Sequence, residues 1–573
     1  MSNTASQTPP PAPLWQDALS LCRDLQRGTI TAQALMSNVY ARIKALNPAL
    51  NALVALLPEE QAMALAAAAD GIPAAERGPL HGLPMALKDA VAVKGFATTW
   101  GFKGFADNLE QADDELAARL RRAGALFIGH SNMPEFGLGS HTFNELYGNT
   151  YNPYDMTKTP GGSSGGAAVA LAADILPLAD GSDLGGSLRN PASFCNVVGF
   201  RPSIGRMPFN RGFGWYGRMV TTGPMAKTVA DTTLLFSVMA GPDSADPLTL
   251  PESGTTFLDA LEPLSPEELS NLRISVSKDL GTLAIDPEVA ETIGSAGSVM
   301  RELGAEVVDS LPNLDGAMDV FQTQRAAGLR LLAKRLETVD PNWRDNIKDT
   351  ARWNIEKGLA LSADELMQAE LQRTNIYRRV AAFFEDHDAL IIPAAQVPPF
   401  DADMDWVREI NGIAMPTYID WMAVCCMISV TGLPTISVPG GFTAKGLPIG
   451  VQIVGKPKGD LALLRIAQAF ETATGYGQRR PDLHALVLPR AYSKDADAEI
   501  AANHGSSGRC RVLCRRADDS LATGRTPDQD PMFDQRQRRT PILRSSDTRP
   551  APPSRSPESG RFTGCRTGDL APR

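Results

Sequence analysis

The chain has 573 residues, 43% of them hydrophobic and 21% charged, with a net charge of −10 at neutral pH. That apolar share supports a substantial buried core and excludes a chain disordered throughout, while the length admits more than one domain. The acidic balance, with no basic stripe in the body, argues against nucleic acid as the main partner.

Residues 1–13 are polar and proline-rich and read as a flexible N-terminus, without the basic and apolar regions of a signal peptide. Leu14 to Leu46 reads as helices, with Thr31 followed by Gln33 as a start signal close to a capping box. In Gly82-Leu83-Pro84-Met85-Ala86-Leu87-Lys88-Asp89 an apolar run places Lys88 at the end of a short strand. A helix from Asp113 to Arg122 and a strand from Ala125 to Gly129 follow. Short apolar strands alternate with alanine-rich helices from about Leu80 to Met239, and that alternation predicts a layered α/β sheet.

Within this region stand Gly161-Gly162-Ser163-Ser164-Gly165-Gly166 and Gly181-Ser182-Asp183-Leu184-Gly185-Gly186-Ser187-Leu188-Arg189. Glycines around a serine remove bulk, so a carbonyl substrate and several backbone N–H groups can approach closely, as acyl transfer requires. Ala167 to Ala173 follows at once as a buried helix, which excludes a flexible glycine-serine linker. A serine hydroxyl needs a base. The six histidines, His81, His130, His141, His387, His484 and His504, form no convincing triad motif. Lys88 is the alternative, because burial disfavours its ammonium and brings a neutral amine within reach of neutral pH. Lys94 and Lys103 lack that setting. The nucleophile-elbow pattern at Gly161 to Gly165 offers a competing assignment with Ser163 as nucleophile, but it leaves the second glycine-serine segment unexplained, and His387 and His484 read as surface or loop residues. Ser275-Val276-Ser277-Lys278 overlaps a strand-like run and is set aside as a chance match.

Residues 316–419 read as helix-rich, including an amphipathic helix from Ser362 to Phe384 that opens on a capping box. Trp343, Trp353 and Trp406 lie there and are pocket candidates by position alone. Asp388 to Pro393 returns to strand, and Pro434 to Val454 supplies two more strands for the same sheet. Beyond Tyr492 the composition changes: fourteen arginines occur from Arg509 onward and no lysine follows Lys494, so residues 491–573 read as a disordered, dispensable tail. The seven cysteines, Cys22, Cys195, Cys425, Cys426, Cys510, Cys514 and Cys565, are too scattered for a disulfide framework. Cys510 and Cys514 have no second ligand pair for a metal. With no apolar run long enough to span a bilayer, a cytoplasmic enzyme is expected.

These motifs resemble the amidase signature family of serine hydrolases, and in particular its bacterial-type amidases. The likeness extends through Asn190-Pro191-Ala192-Ser193, Gly199-Phe200-Arg201-Pro202, Gly223-Pro224-Met225-Ala226 and Thr431-Gly432-Leu433-Pro434, covering roughly residues 14–485. It implies an α/β fold with one large mixed sheet between helical layers, and a catalytic domain at 14–490 with its helix-rich insertion at 316–419. It implies Ser187 as nucleophile, Ser163 after a cis peptide as the bridging group and Lys88 as terminal base. Backbone N–H groups of Leu184, Gly185, Gly186 and Ser187 would receive the oxyanion, and Gly137 would approach the substrate. Ser164, Asp183 and Arg189 would support the loop through hydrogen bonds. The implied reaction hydrolyses the carbon–nitrogen bond of a linear amide, with esters also reacting. It needs no metal or other cofactor, and its partner is a small-molecule amide rather than nucleic acid or membrane. A homodimer is admitted. The rival within the resemblance is the glutaminase subunit of a tRNA-dependent amidotransferase, in which threonine is common where Leu184 stands.

Overall fold

An eight-stranded mixed sheet organises the computed structural model, which describes residues 10–209 and 218–484. Its strands lie in the order Glu306–Val308, Arg273–Val276, Ala389–Pro393, Pro448–Gly455, Thr435–Phe442, Val198–Arg201, Thr221–Ala226 and Leu178–Asp183. The first three run parallel and every later pairing is antiparallel. Thr435–Phe442 and Pro448–Gly455 are apolar along nearly their whole length because both of their faces are covered. As expected, they join the sheet that already holds Leu178–Asp183.

The strand carrying Lys88 belongs to a second sheet. Pro84–Lys88, buried at every position, pairs in parallel with Leu126–Ser131, which also pairs with Leu53–Val54. The two sheets meet at Lys88, whose backbone N–H donates to Asp180 Oδ1 at 3.0 Å rather than to a ladder partner.

Helices form where the capping signals place them. Asp17 and Thr31 cap Ala18–Arg27 and Ala32–Leu50, so the expected helical stretch is two helices broken at Gly28. Asp114 caps the helix expected from Asp113, which therefore begins at Glu115. The region after Gly316 holds helices Ala317–Val339, Trp343–Asn346, Asp349–Ala360 and Ala363–Phe383, the last opened by the Ser362–Glu365 capping box. Trp343 is fully buried, in a cluster with Phe102, Phe105 and Phe136.

Among the described residues, Cys22, Cys195, Cys425 and Cys426 are buried free thiols, and no helix is long and apolar enough to cross a membrane. The expected tail at 491–573 and most of the expected flexible N-terminus lie outside the described residues.

Candidate active site

Local packing explains why this sequence brings Lys88 to the serines. The Gly165–Ala172 helix is buried at every residue. A Cβ on Gly166 would meet Ala52 O and Asn132 N, each at 2.4 Å, so only glycine lets the helix start this close to the Leu126–Ser131 strand. The Gly162–Ser163 peptide just before the helix is cis. Ser163 and Ser164 thus stand at the N-terminus of a buried helix, facing the end of the Pro84–Lys88 strand.

Lys88 Nζ lies 2.7 Å from Ser163 Oγ, 2.9 Å from Ser164 Oγ and 3.0 Å from Ser182 Oγ. Burial pushes the amine down from 10.5 to about 7, with Asp180 and Asp183 opposing the fall. The positive end of the adjoining helix disfavours an ammonium in the same sense. Lys88 is therefore a poised group, able to exist as a free amine near neutrality while hydrogen-bonded to a hydroxyl.

Ser187 occupies the turn after the Leu178–Asp183 strand and is partly open to solvent. Its carbonyl accepts the Ser164 N–H at 3.2 Å, which ties the two glycine-serine loops together. The Ser187 hydroxyl makes no hydrogen bond among the described residues. Gly137 faces the same place: its φ is +69°, and a Cβ there would stand 3.4 Å from Ser163 Oγ.

Asp183 braces the Ser187 turn from beneath. Its carboxylate accepts the N–H of Gly186 at 2.9 Å and of Leu188 at 3.1 Å, and the Arg189 Nε and Nη2 groups at 2.9 and 2.8 Å. Burial raises this carboxyl, but the Arg189 guanidinium, its hydrogen bonds and Arg201 outweigh that and hold it well below the usual range. Arg189 in turn reaches Cys425 O, Gln452 Oε1 and Ser429 Oγ. Of the four expected oxyanion donors, Gly186 N–H is committed to Asp183. The N–H groups of Leu184, Gly185 and Ser187 make no hydrogen bond among the described residues and remain available.

Three groups at this site carried no sequence signal. Ser182 contacts Lys88 Nζ, Asp180 holds the Lys88 backbone, and the Ala423–Thr431 helix presses Cys425 and Cys426 against Gly186 and Gly185. The alternation of side chains along Leu178–Asp183 puts Asp180 and Ser182 on one face, toward Lys88, and Asp183 on the other. His387, expected at the surface or in a loop, lies in the loop before the Ala389–Pro393 strand and is buried there. It is 7% exposed, bonded to Ser310 Oγ and Phe383 O and stacked on Phe383. These partners lie far along the sheet from Ser163, which leaves the nucleophile-elbow assignment without its histidine there. A cavity of about 520 Å³ adjoins the site, walled by Leu138 and Gly139, which continue directly from Gly137, and by Trp353, Trp406 and Tyr418.

Comparison with known proteins shows the family. The Amidase family profile matches residues 34–464. An acylamidase of Rhodococcus erythropolis is 32% identical over 470 residues, covering 82% of this chain and 97% of that protein. One of the subunits of the glutamyl-tRNA(Gln) amidotransferase of Picosynechococcus is 33% identical over 478 residues, covering 79% and 97%. A bacterial aryl acylamidase of the amidase signature enzymes superposes with a TM-score of 0.75 at 28% identity, over 83% of this chain and 99% of that one. The match spans both sheets and both glycine-serine loops, and the chain belongs to the amidase signature family of amide-acting hydrolases.

Proposed function

We propose that this protein hydrolyses carboxylic amides through an acyl-enzyme on Ser187, with Ser163 and Lys88 moving the protons. The observation that carries the reading is the 2.7 Å contact between Lys88 Nζ and Ser163 Oγ, made by a lysine that burial holds near neutrality.

Ser187 Oγ attacks the amide carbonyl and gives its proton to Ser163 Oγ, which passes its own to the free amine of Lys88. The carbonyl oxygen, now negative, is received by backbone N–H groups of the Leu184–Ser187 turn; one such donor typically supplies about 3 kcal/mol. On collapse, the proton returns from Lys88 through Ser163 to the leaving nitrogen, so the carbon–nitrogen bond breaks to release ammonia or an amine. Water then attacks the ester on Ser187 along the same relay, and the acid departs. Asp183 and Arg189 hold the turn without touching the reacting atoms. A cytoplasmic setting belongs to the same proposal.

A second reading, the glutaminase subunit of a tRNA-dependent amidotransferase, is supported by the 33% identity to the Picosynechococcus protein. The two separate on purification, since a free-standing amidase turns over an amide without a partner.

The test is intact-protein mass after exposure of the purified chain to a serine-directed fluorophosphonate, alongside Ser187→Ala and Ser163→Ala. One adduct on the parent that is lost with Ser187→Ala supports the assignment. An adduct that survives Ser187→Ala and vanishes with Ser163→Ala makes Ser163 the nucleophile and overturns it.

A further inference from the structure

The cavity beside Gly137 has a chemistry of its own. Its walls are aromatic: Trp353 and Trp406 both stand edge-on to Tyr418 at 6.2 Å between ring centroids, and Phe143 lies across from them. Among these rings sits Lys348, half-buried, its Nζ 5.4 Å from the Phe143 centroid and donating to Leu138 O at 2.6 Å. Among the described residues no carboxylate comes within ion-pair distance of that ammonium. Its backbone N–H holds Glu135 at 2.9 Å instead. Burial lowers Lys348 to about 8, against the pull of Glu135, so it remains mostly charged at neutral pH.

A second cation stands behind the wall. Arg325 is 4% exposed and is satisfied by neutral groups, Asn354 Oδ1 and the Tyr418 hydroxyl, rather than by a carboxylate. The Tyr418 hydroxyl also accepts from Asn354 Nδ2 at 2.6 Å. It therefore receives two hydrogen bonds, and its own proton has no acceptor among the described residues. The other charges lining the cavity are at its rim or silent. Asp405, 66% exposed, lies 3.7 Å from Arg408, which stacks on Trp406. Asp349, 89% exposed, is held by Arg352. Burial pushes His141 down to about 4, which leaves it neutral. The cavity thus offers aromatic side chains, a Lys348 ammonium with protons beyond the one given to Leu138 O, and a Tyr418 hydroxyl whose proton has no acceptor among the described residues.

We propose that this cavity binds an aromatic carboxylate, with the ring between the Trp353, Trp406 and Tyr418 faces and the carboxylate on Lys348 and the Tyr418 hydroxyl. Aromatic walls recognise a ring through dispersion and quadrupole contacts, and a half-buried ammonium with spare protons recognises an anion more strongly than a fully exposed lysine does. Because Leu138 and Gly139 lead straight to Gly137 and Ser163, the amide processed here then carries its carboxylate on an aromatic ring. That substrate statement rests on the proposed amidase reading, whereas the binding statement does not.

The experiment titrates the full-length Ser187→Ala protein calorimetrically with benzoate, benzyl alcohol and acetate. Benzoate is expected to bind at least about tenfold more tightly than either comparator. Lys348→Met should cost about tenfold, Lys348→Arg should retain most of the affinity, and Tyr418→Phe should lose a few-fold. Benzoate binding no better than benzyl alcohol, or equal binding to the parent and Lys348→Met with both folded, overturns the site. On the active enzyme, 4-acetamidobenzoate should exceed acetanilide in kcat/KM by about tenfold, and Lys348→Met should remove the difference. Lys348-dependent benzoate binding without hydrolysis of either anilide would uphold the cavity and reject the statement that the processed amide carries its carboxylate on an aromatic ring, while fluorophosphonate labelling of Ser187 decides the amidase reading by itself.

Discussion

Asp180 grips Lys88 by its backbone while Ser182, two residues further along the same face of the same strand, touches its amine, at 3.0 Å in each case. Asp180 is fully buried and its second oxygen, Oδ2, has no hydrogen-bond partner among the described residues. Burial raises this carboxyl to about 7, and its charge, where present, favours the Lys88 ammonium. The other charges nearby are engaged. Asp183 is locked by Arg189 and Arg201, and Asp89 is held by Thr99 and Gly101, with His130 close to it; Asp114 acts on Asp180 from a distance.

Asp180→Asn keeps the acceptor for the Lys88 N–H and removes the charge that favours its ammonium. Lys88 then becomes neutral at lower pH, and the acid limb of kcat/KM should move down by about one pH unit. A pH–rate profile against a soluble amide checks this. An unchanged limb with a lower plateau would mean that Asp180 only holds the strand.

Lys88→Met should reduce acylation by at least about a thousandfold while making the protein more stable near neutrality. In the folded state Lys88 releases its proton near 7, against 10.5 in the unfolded chain. Between those values the unfolded chain binds more protons, so wild-type stability rises with pH across that window, and the cost of burying the charge is full below it. Urea denaturation at pH 6.5 and pH 9.5 should show the Lys88→Met advantage shrinking at the higher pH.

Gly186 has a φ of +112°, and a Cβ there would lie 2.8 Å from Cys425 Cβ and 2.9 Å from Asn190 Nδ2. Gly186→Ala must shift the turn that carries Ser187. We expect fluorophosphonate labelling at least about a hundredfold slower, with a loss of about 1–3 kcal/mol in stability. Stopped-flow labelling and thermal melts measure the two effects separately.

Arg189→Met leaves the buried Asp183 carboxylate without its main partner. Breaking such a pair costs about 3–5 kcal/mol, and at this position it also frees the turn from the Ala423–Thr431 helix. Low soluble yield, or a melting temperature lowered by several degrees, is the expected result.

The parts of the site legible in the sequence are those with local signals. Glycine-rich turns around Ser163 and Ser187 announce close backbone approach, and an apolar run ending in one cation announces Lys88. The helix caps at Thr31 and Ser362 mark element boundaries to within a few residues for the same reason. Asp180 and Ser182 stayed silent because their role depends on which way a strand faces across a sheet-to-sheet junction. Lys348 and Tyr418 stayed silent because they sit in a helix cap and a turn, where no periodicity tells a cavity wall from a surface loop, and the paired cysteines because helical spacing looks the same for a core residue and a cavity wall. Trp353 and Trp406 illustrate that ambiguity: their position suggested a pocket, yet Trp343, in the same helical region, is core.

The dependence of the Ser187 turn on Arg189, and of Arg189 on Cys425, Ser429 and Gln452, has a consequence for how the enzyme comes into being. A ribosome that has just completed Ala226 has made every proposed reacting group. The Thr435–Phe442 strand that seats Val198–Arg201, and the helix that backs the turn, are still unsynthesised. The bonds from Arg189 to Cys425, Ser429 and Gln452 therefore form only once the last third of the chain has emerged, so the turn carrying the proposed nucleophile gains its full support no earlier.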